Sequence, residues 1–151
     1  MVETSSAAPS AHAVLPRPGL IALVAVGGAV GTTIRYMVMT LFPVGDGFPT
    51  VIAVINISGA LVLGLLLETI ALAGAESTGR RNIRLAVGTG VLGGYTTYGT
   101  FAVTEDGLIQ SMNPHDALLF GVPMVAAGIV AALVGVWVVH LVRRAIRRDA
   151  A

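Results

Sequence analysis

Residues 88–101 read GTGVLGGYTTYGTF, and this segment constrains the architecture more than any other. It lies within an apolar run long enough to cross a bilayer, yet its middle sets Gly93 beside Gly94 and follows them with hydroxyls at Thr96, Thr97 and Thr100. Paired glycines are poor material for a continuous lipid-facing helix. Irregular backbone at membrane depth is tolerated only where it is buried in protein or lines a watery path. The segment therefore predicts a third helix broken at mid-membrane, whose freed carbonyls can serve as hard oxygen ligands for a cation. A Gly-rich packing helix, its Thr hydroxyls bonded back to their own turns, satisfies the same spacing.

Four runs are long enough for the roughly 20 helical residues that a hydrocarbon core requires: 20–42, 50–73, 83–103 and 117–142. The connections PVGDGFP, GAESTGRRN and TEDGLIQSMNPHD are too short to build an extramembrane domain. Closed β-barrels show weakly alternating segments of about ten residues rather than unbroken apolar runs. The fold class is therefore an all-α membrane protein with four transmembrane helices. Residues 1–19, rich in Ser, Ala and Pro, predict a disordered tail that stays attached, and residues 143–151 a short basic one.

Composition agrees. Of 151 residues 55% are hydrophobic and only 11% charged, with a mean hydropathy of +0.86; a soluble domain carries about 25% charged residues. The absence of cysteine excludes thiol chemistry. A net charge of +1, with nine basic residues that are all Arg, gives nucleic-acid binding no support. No phosphate loop, nucleophile triad or cluster of metal-ligating side chains is present, so an enzyme is not expected.

With four crossings, one side of the membrane holds Arg17, Arg80, Arg81, Arg84, Arg143, Arg144, Arg147 and Arg148. The opposite loops hold no Arg and carry Asp46, Glu105, Asp106 and Asp116. The positive-inside rule then predicts a multi-pass protein of the cell membrane with both termini in the cytoplasm. The same arginines can also be read as a lipid-binding patch.

Inside the first span Gly28, Gly31 and Arg35 share a helical face. An intramembrane cation faces protein or a water cavity rather than lipid, which points Arg35 into a vestibule; about 10 Å from the span's outer end at 1.5 Å per residue, it also suits a snorkelling anchor. Asn56 lies at similar depth in the second span and offers donors to an anion or to a neighbouring helix. Glu68 is near a span end and is read as structural. Tyr98 and Phe101 are three apart, so their rings, with positive edges, can line one path. Gly121, Gly128 and Gly135 form a packing stripe on the fourth span, which has no Ser or Thr and carries Trp137 and His140 towards its end.

Three motifs then line up in order: GGAVGTTIRY at 27–36, PTVIAVINISGALVLG at 49–64 and GVLGGYTTYGTF at 90–101. Together they resemble the CrcB/Fluc family of fluoride channels over essentially all of the chain after the tail. The resemblance implies a fluoride-specific exit pathway that keeps cytoplasmic fluoride low, formed by two antiparallel subunits with two pores between them. It also implies a structural, untransported sodium ion at the dimer centre, held by the carbonyls of Gly93 and Thr96. It places Asn56, Tyr98 and Phe101, with the hydroxyls of Thr97 and Thr100, along the fluoride pathway, and Arg35, Gly28 and Gly31 around its vestibule. The chain departs from the family pattern at Tyr98, where Phe is usual, at Gly99, where Ser is usual, and at Thr104, where Glu is usual.

An antiparallel homodimer needs one sequence that inserts both ways, hence little basic asymmetry. Eight arginines against none is the opposite, so the expectation is one half of a heterodimer with a related chain of reversed bias. A proton-coupled exporter lacks the acid that it needs in the first span. A non-conducting subunit that completes a partner's fold is favoured by Gly99 and the hydroxyl-free fourth span, and opposed by Asn56, Phe101 and the intact GGYTT run.

Overall fold

The computed structural model describes residues 17–42, 50–111 and 114–149; residues 1–16 of the tail expected at 1–19, the first connection at 43–49 and residues 112–113 and 150–151 lie outside the described residues, while Pro18 and Gly19 of that expected tail already belong to the first helix. Helix α1 (Pro18–Leu41) opens on a proline, whose missing N–H is one that the first turn leaves unpaired anyway. Helix α2 (Thr50–Leu72) is followed by Gly74, which turns the chain at a φ of +98° that side chains avoid. Ser77 then accepts the Arg80 N–H at 3.3 Å and so caps α3 (Thr78–Ile83).

From α3 the chain runs straight into a wider, π-helical segment (Arg84–Leu92) and on into α4 (Gly93–Tyr95). After an interruption α5 (Tyr98–Ser111) and the 36-residue α6 (Pro114–Asp149) complete the chain. No strand occurs among the described residues. Helices α1, α2 and the Leu118–Arg148 part of α6 are each long and apolar enough to cross a membrane. The chain is an all-helical, multi-pass membrane protein.

Helix extends beyond the expected membrane spans: it covers 78–95 and 98–111 around the span expected at 83–103, and α6 begins at Pro114 and continues through Arg143, Arg144, Arg147 and Arg148 to Asp149 around the span expected at 117–142. Once nucleated, a helix adds residues cheaply, and arginines in the last turns complement its dipole.

Packing follows two parallel pairs. Gly27 faces Ala86, and Gly31 faces Val91 and Tyr95, so α1 runs in the same direction as the segment from Arg84 to Tyr95. Ile52 packs with Met124, Gly135 lies against Leu61, and Glu68 Oε1 meets His140 Nε2 at 3.0 Å, so α2 runs with α6. Helices α1 and α2 touch each other little; both lean on the third segment.

Glycine makes the closest approaches. A Cβ on Gly31 would overlap the Val91 carbonyl, and one on Gly94 the Gly28 carbonyl. Of the expected stripe on α6, Gly135 does pack on α2, whereas Gly128 has open space before it and lines a groove. Among the described residues the buried apolar core is thin, namely Ile52, Ile55, Leu92, Phe120 and Met124. Val26, Leu119 and Leu133 are each more than 60% exposed, an outer surface that suits lipid and not water.

Candidate functional site: a helix break opening on a groove

The interruption lies at Thr96 and Thr97, just beyond the paired glycines. Thr96 is extended (φ −73°, ψ 156°), and each flanking helix end has groups to satisfy. On the upstream side the Thr96 N–H and Oγ1 both donate to the Leu92 carbonyl at 2.9 Å. On the downstream side Thr97 Oγ1 accepts the Thr100 N–H at 3.1 Å and donates to Thr100 Oγ1 at 3.0 Å, the arrangement of a helix N-cap.

The peptide between them is held from α2. Asn56 Oδ1 accepts the Thr97 N–H at 2.9 Å, and Asn56 Nδ2 donates to the Thr97 carbonyl at 3.1 Å. One carboxamide thus covers both polar atoms of a residue that is only 7% exposed. Leaving such groups unmade costs about 1–3 kcal/mol each. A consequence falls on Gly93. In a continuous helix its carbonyl would accept the Thr97 N–H, and here that N–H is taken by Asn56.

Asn56, Thr96, Thr97, Tyr98 and Phe101 together line an open groove of about 270 Å³, closed on the far side by Met124, Val125 and Gly128 of α6. Tyr98 is 81% exposed, and its ring lies 6.3 Å from that of Phe101 at an interplanar angle of 50°. Phe101 in turn lies 5.8 Å from Phe120, which is fully buried with Ile52 and Met124. The aromatic row is therefore anchored at its inner end and free at its outer one. Among the described residues, no ionisable side chain other than the Tyr98 phenol lines the groove. What it presents to a ligand is ring edges, the second Nδ2 hydrogen of Asn56 and the N-terminus of α5, whose dipole favours negative charge.

The structure brings together Asn56, Thr96, Thr97, Tyr98, Phe101 and Thr100, the last through Thr97. Arg35 stands apart. It is partly exposed on α1, does not line the groove, and has no hydrogen-bond or ion-pair partner among the described residues. Gly28 and Gly31 pack α1 on the third segment rather than opening a space, and Gly93 is exposed with nothing against it. Sequence reasoning missed two partners of the break. Ser58 Oγ meets Tyr95 Oη at 3.0 Å, and Thr32 Oγ1 approaches the Gly94 carbonyl at 3.5 Å. Both are inter-helix contacts that no spacing within one helix signals.

Comparison with known proteins bears on what this groove serves. A family model described as "CrcB-like protein, Camphor Resistance (CrcB)" matches residues 22–136. Fluoride-specific ion channel FluC 2 of Leifsonia xyli is 46% identical over 114 residues, covering 76% of this chain and 79% of that one. Fluoride-specific ion channel FluC 1 of Cutibacterium acnes is 38% identical over 124 residues, covering 82% and 84%. Fluoride-specific ion channel FluC of Deinococcus radiodurans is 39% identical over 114 residues, covering 74% and 87%.

Proposed function

Because the chain belongs to the CrcB family, a family of ion channels and not of enzymes, we propose that it is a fluoride channel subunit that lets fluoride leave the cytoplasm. The observation that carries this reading is the Asn56–Thr97 clasp beside the anchored Tyr98–Phe101–Phe120 row. A small anion is held there by ring edges, an amide N–H and a helix N-terminus. None of these is a full positive charge that would trap it, and a conducting site must release what it binds. In this reading fluoride passes Asn56, Tyr98 and Phe101, while Thr97 and Thr100 fix the turn and Arg35 lines a vestibule away from the groove.

The two parallel helix pairs support four crossings. If α1 runs with the third segment and α2 with α6, the chain must return between them, and the third crossing is the one interrupted at Thr96 and Thr97. The exposed positions Thr32, Thr89 and Gly93, small or hydroxyl-bearing, on this half of the molecule suit burial against an antiparallel second subunit. Gly93, whose carbonyl has lost its helical donor, and Thr96 would hold a structural sodium ion at that junction. Neutral carbonyl oxygens fit a hard monovalent cation, and among the described residues no group of three His, Asp or Glu offers another metal site. Bound sodium would neutralise converging carbonyl dipoles and so tie the two breaks together.

The arginine bias makes the second subunit a related chain with reversed bias, and both termini cytoplasmic. A second reading, a subunit that only completes its partner's fold, draws on the fact that Asn56, Thr97 and Thr100 already satisfy one another. Fluoride efflux from liposomes separates the two. The channel reading expects efflux from the reconstituted dimer that Asn56→Ala or Phe101→Ala in this chain abolishes without preventing assembly, whereas indifference to both substitutions establishes the scaffold. Replacing external sodium by a large organic cation is expected to destabilise the dimer.

A further inference from the structure

We propose that the cleft between the C-terminal ends of α2 and α6 binds one anionic phospholipid, with an acyl chain between the helices and its phosphate on Arg143. The cleft arises from the packing. Helices α2 and α6 meet backbone to backbone at Gly64 with Ala132 and at Gly135 with Leu61. Beyond that contact they leave a space of about 380 Å³ lined by Leu65, Leu72, Val138 and Val142, with Thr69 and Arg143 as its polar members. The Glu68 Oε1–His140 Nε2 contact at 3.0 Å bridges the same two helices at this level.

Two features select the occupant. The Thr69 hydroxyl is already bonded to the Leu65 carbonyl at 2.6 Å, so the wall is effectively apolar up to Arg143. An apolar cleft in a membrane-spanning pair is filled by lipid chain, and the guanidinium at its end, a planar fork of donors, matches a phosphate diester. Arg147, four residues on, lies on the same helical face and adds a second positive charge, and both arginines are exposed. At 36 residues and 1.5 Å per residue, α6 is about 54 Å long against a hydrocarbon core of about 30 Å, so its last turns reach headgroup level. A zwitterionic lipid would fill the cleft equally well but would bring its own cation to Arg143. The preference for a net negative headgroup follows from that difference.

Native mass spectrometry of the complete purified complex, with phosphatidylglycerol and phosphatidylcholine of identical chains, tests this without reference to fluoride conduction. The expected result is preferential retention of one phosphatidylglycerol per copy of this chain. Arg143→Gln should cut that preference about tenfold, as for one lost charge-assisted hydrogen bond. Arg144→Gln, turned about 100° round the helix, should leave it. Val138→Trp, which fills the cleft with an apolar side chain, should lower retention of both lipids while helicity by circular dichroism stays unchanged. Equal retention of the two lipids by the unmodified complex overturns the proposal. So does equal loss in Arg143→Gln and Arg144→Gln, the mark of a diffuse basic patch. Displacement of the lipid by inorganic phosphate with no effect of Val138→Trp also overturns it, because the site would then be a headgroup site with no chain in the cleft.

Discussion

At Asn56 a single side chain meets an acceptor and a donor on the same residue, and the two ends of a carboxamide match that demand. Asn56→Ala strips both bonds from a buried peptide and should cost roughly 2–4 kcal/mol in thermal unfolding in detergent. Asn56→Asp is the sharper probe. A carboxylate still accepts the Thr97 N–H but sets a charged acceptor against its carbonyl in a part-buried site, so at neutral pH the loss should be at least that of Asn56→Ala. An Asp variant as stable as the unmodified chain would show that the second bond contributes nothing. The residue type at 56 was legible in the sequence as a buried amide with two possible partners. Which one it chose was not, because Thr97 lies 41 residues away and becomes reachable only when the third segment breaks.

For the elements, the decisive feature is how two helix ends are finished within two residues. Thr97 caps α5 through its hydroxyl. Thr97→Ser should therefore be nearly neutral, whereas Thr97→Val should cost about 1 kcal/mol, the usual value of an N-cap, and slow hydrogen–deuterium exchange should be lost first from the start of α5. Glycine positions divide in the same way. Gly31→Ala drives a methyl group into the Val91 backbone and should destabilise by several kcal/mol or abolish folding, while Gly128→Ala meets open space and should be tolerated. Comparing expression and unfolding of the two variants checks this. The paired glycines at 93 and 94 announced trouble for a continuous helix, yet the chain tolerates both within α4 and turns out at Thr96. Propensity marked the neighbourhood, and the inter-helix partners Asn56, Ser58 and Thr32 chose the residue. The π-helical turn before it left no mark in the spacing.

For the whole molecule, the one-sided arginines and the thin core lead to the same expectation. With five buried large apolar residues among the described ones, the chain gains little from its own interior, and in the proposed channel lipid and a second subunit cover the rest. Expressed alone with reporter tags at both ends, the chain should adopt a single orientation with both termini in the cytoplasm and give little fluoride efflux. Coexpression with a related chain of opposite bias should restore efflux. Dual orientation together with efflux from this chain alone would refute the heterodimer.

Hydropathy by itself determined that the chain is a helical membrane protein and which polar residues lie in its apolar runs, because transfer free energies act on each residue separately. The motifs determined the family. The tertiary structure decided that Asn56 closes on Thr97, that Gly31 and Gly135 are contacts while Gly128 is a wall of the groove, and that Arg35 stands outside it. Those outcomes depend on which helices lie side by side, and a hydrogen bond or a close approach between distant residues exists only after packing has set the distance.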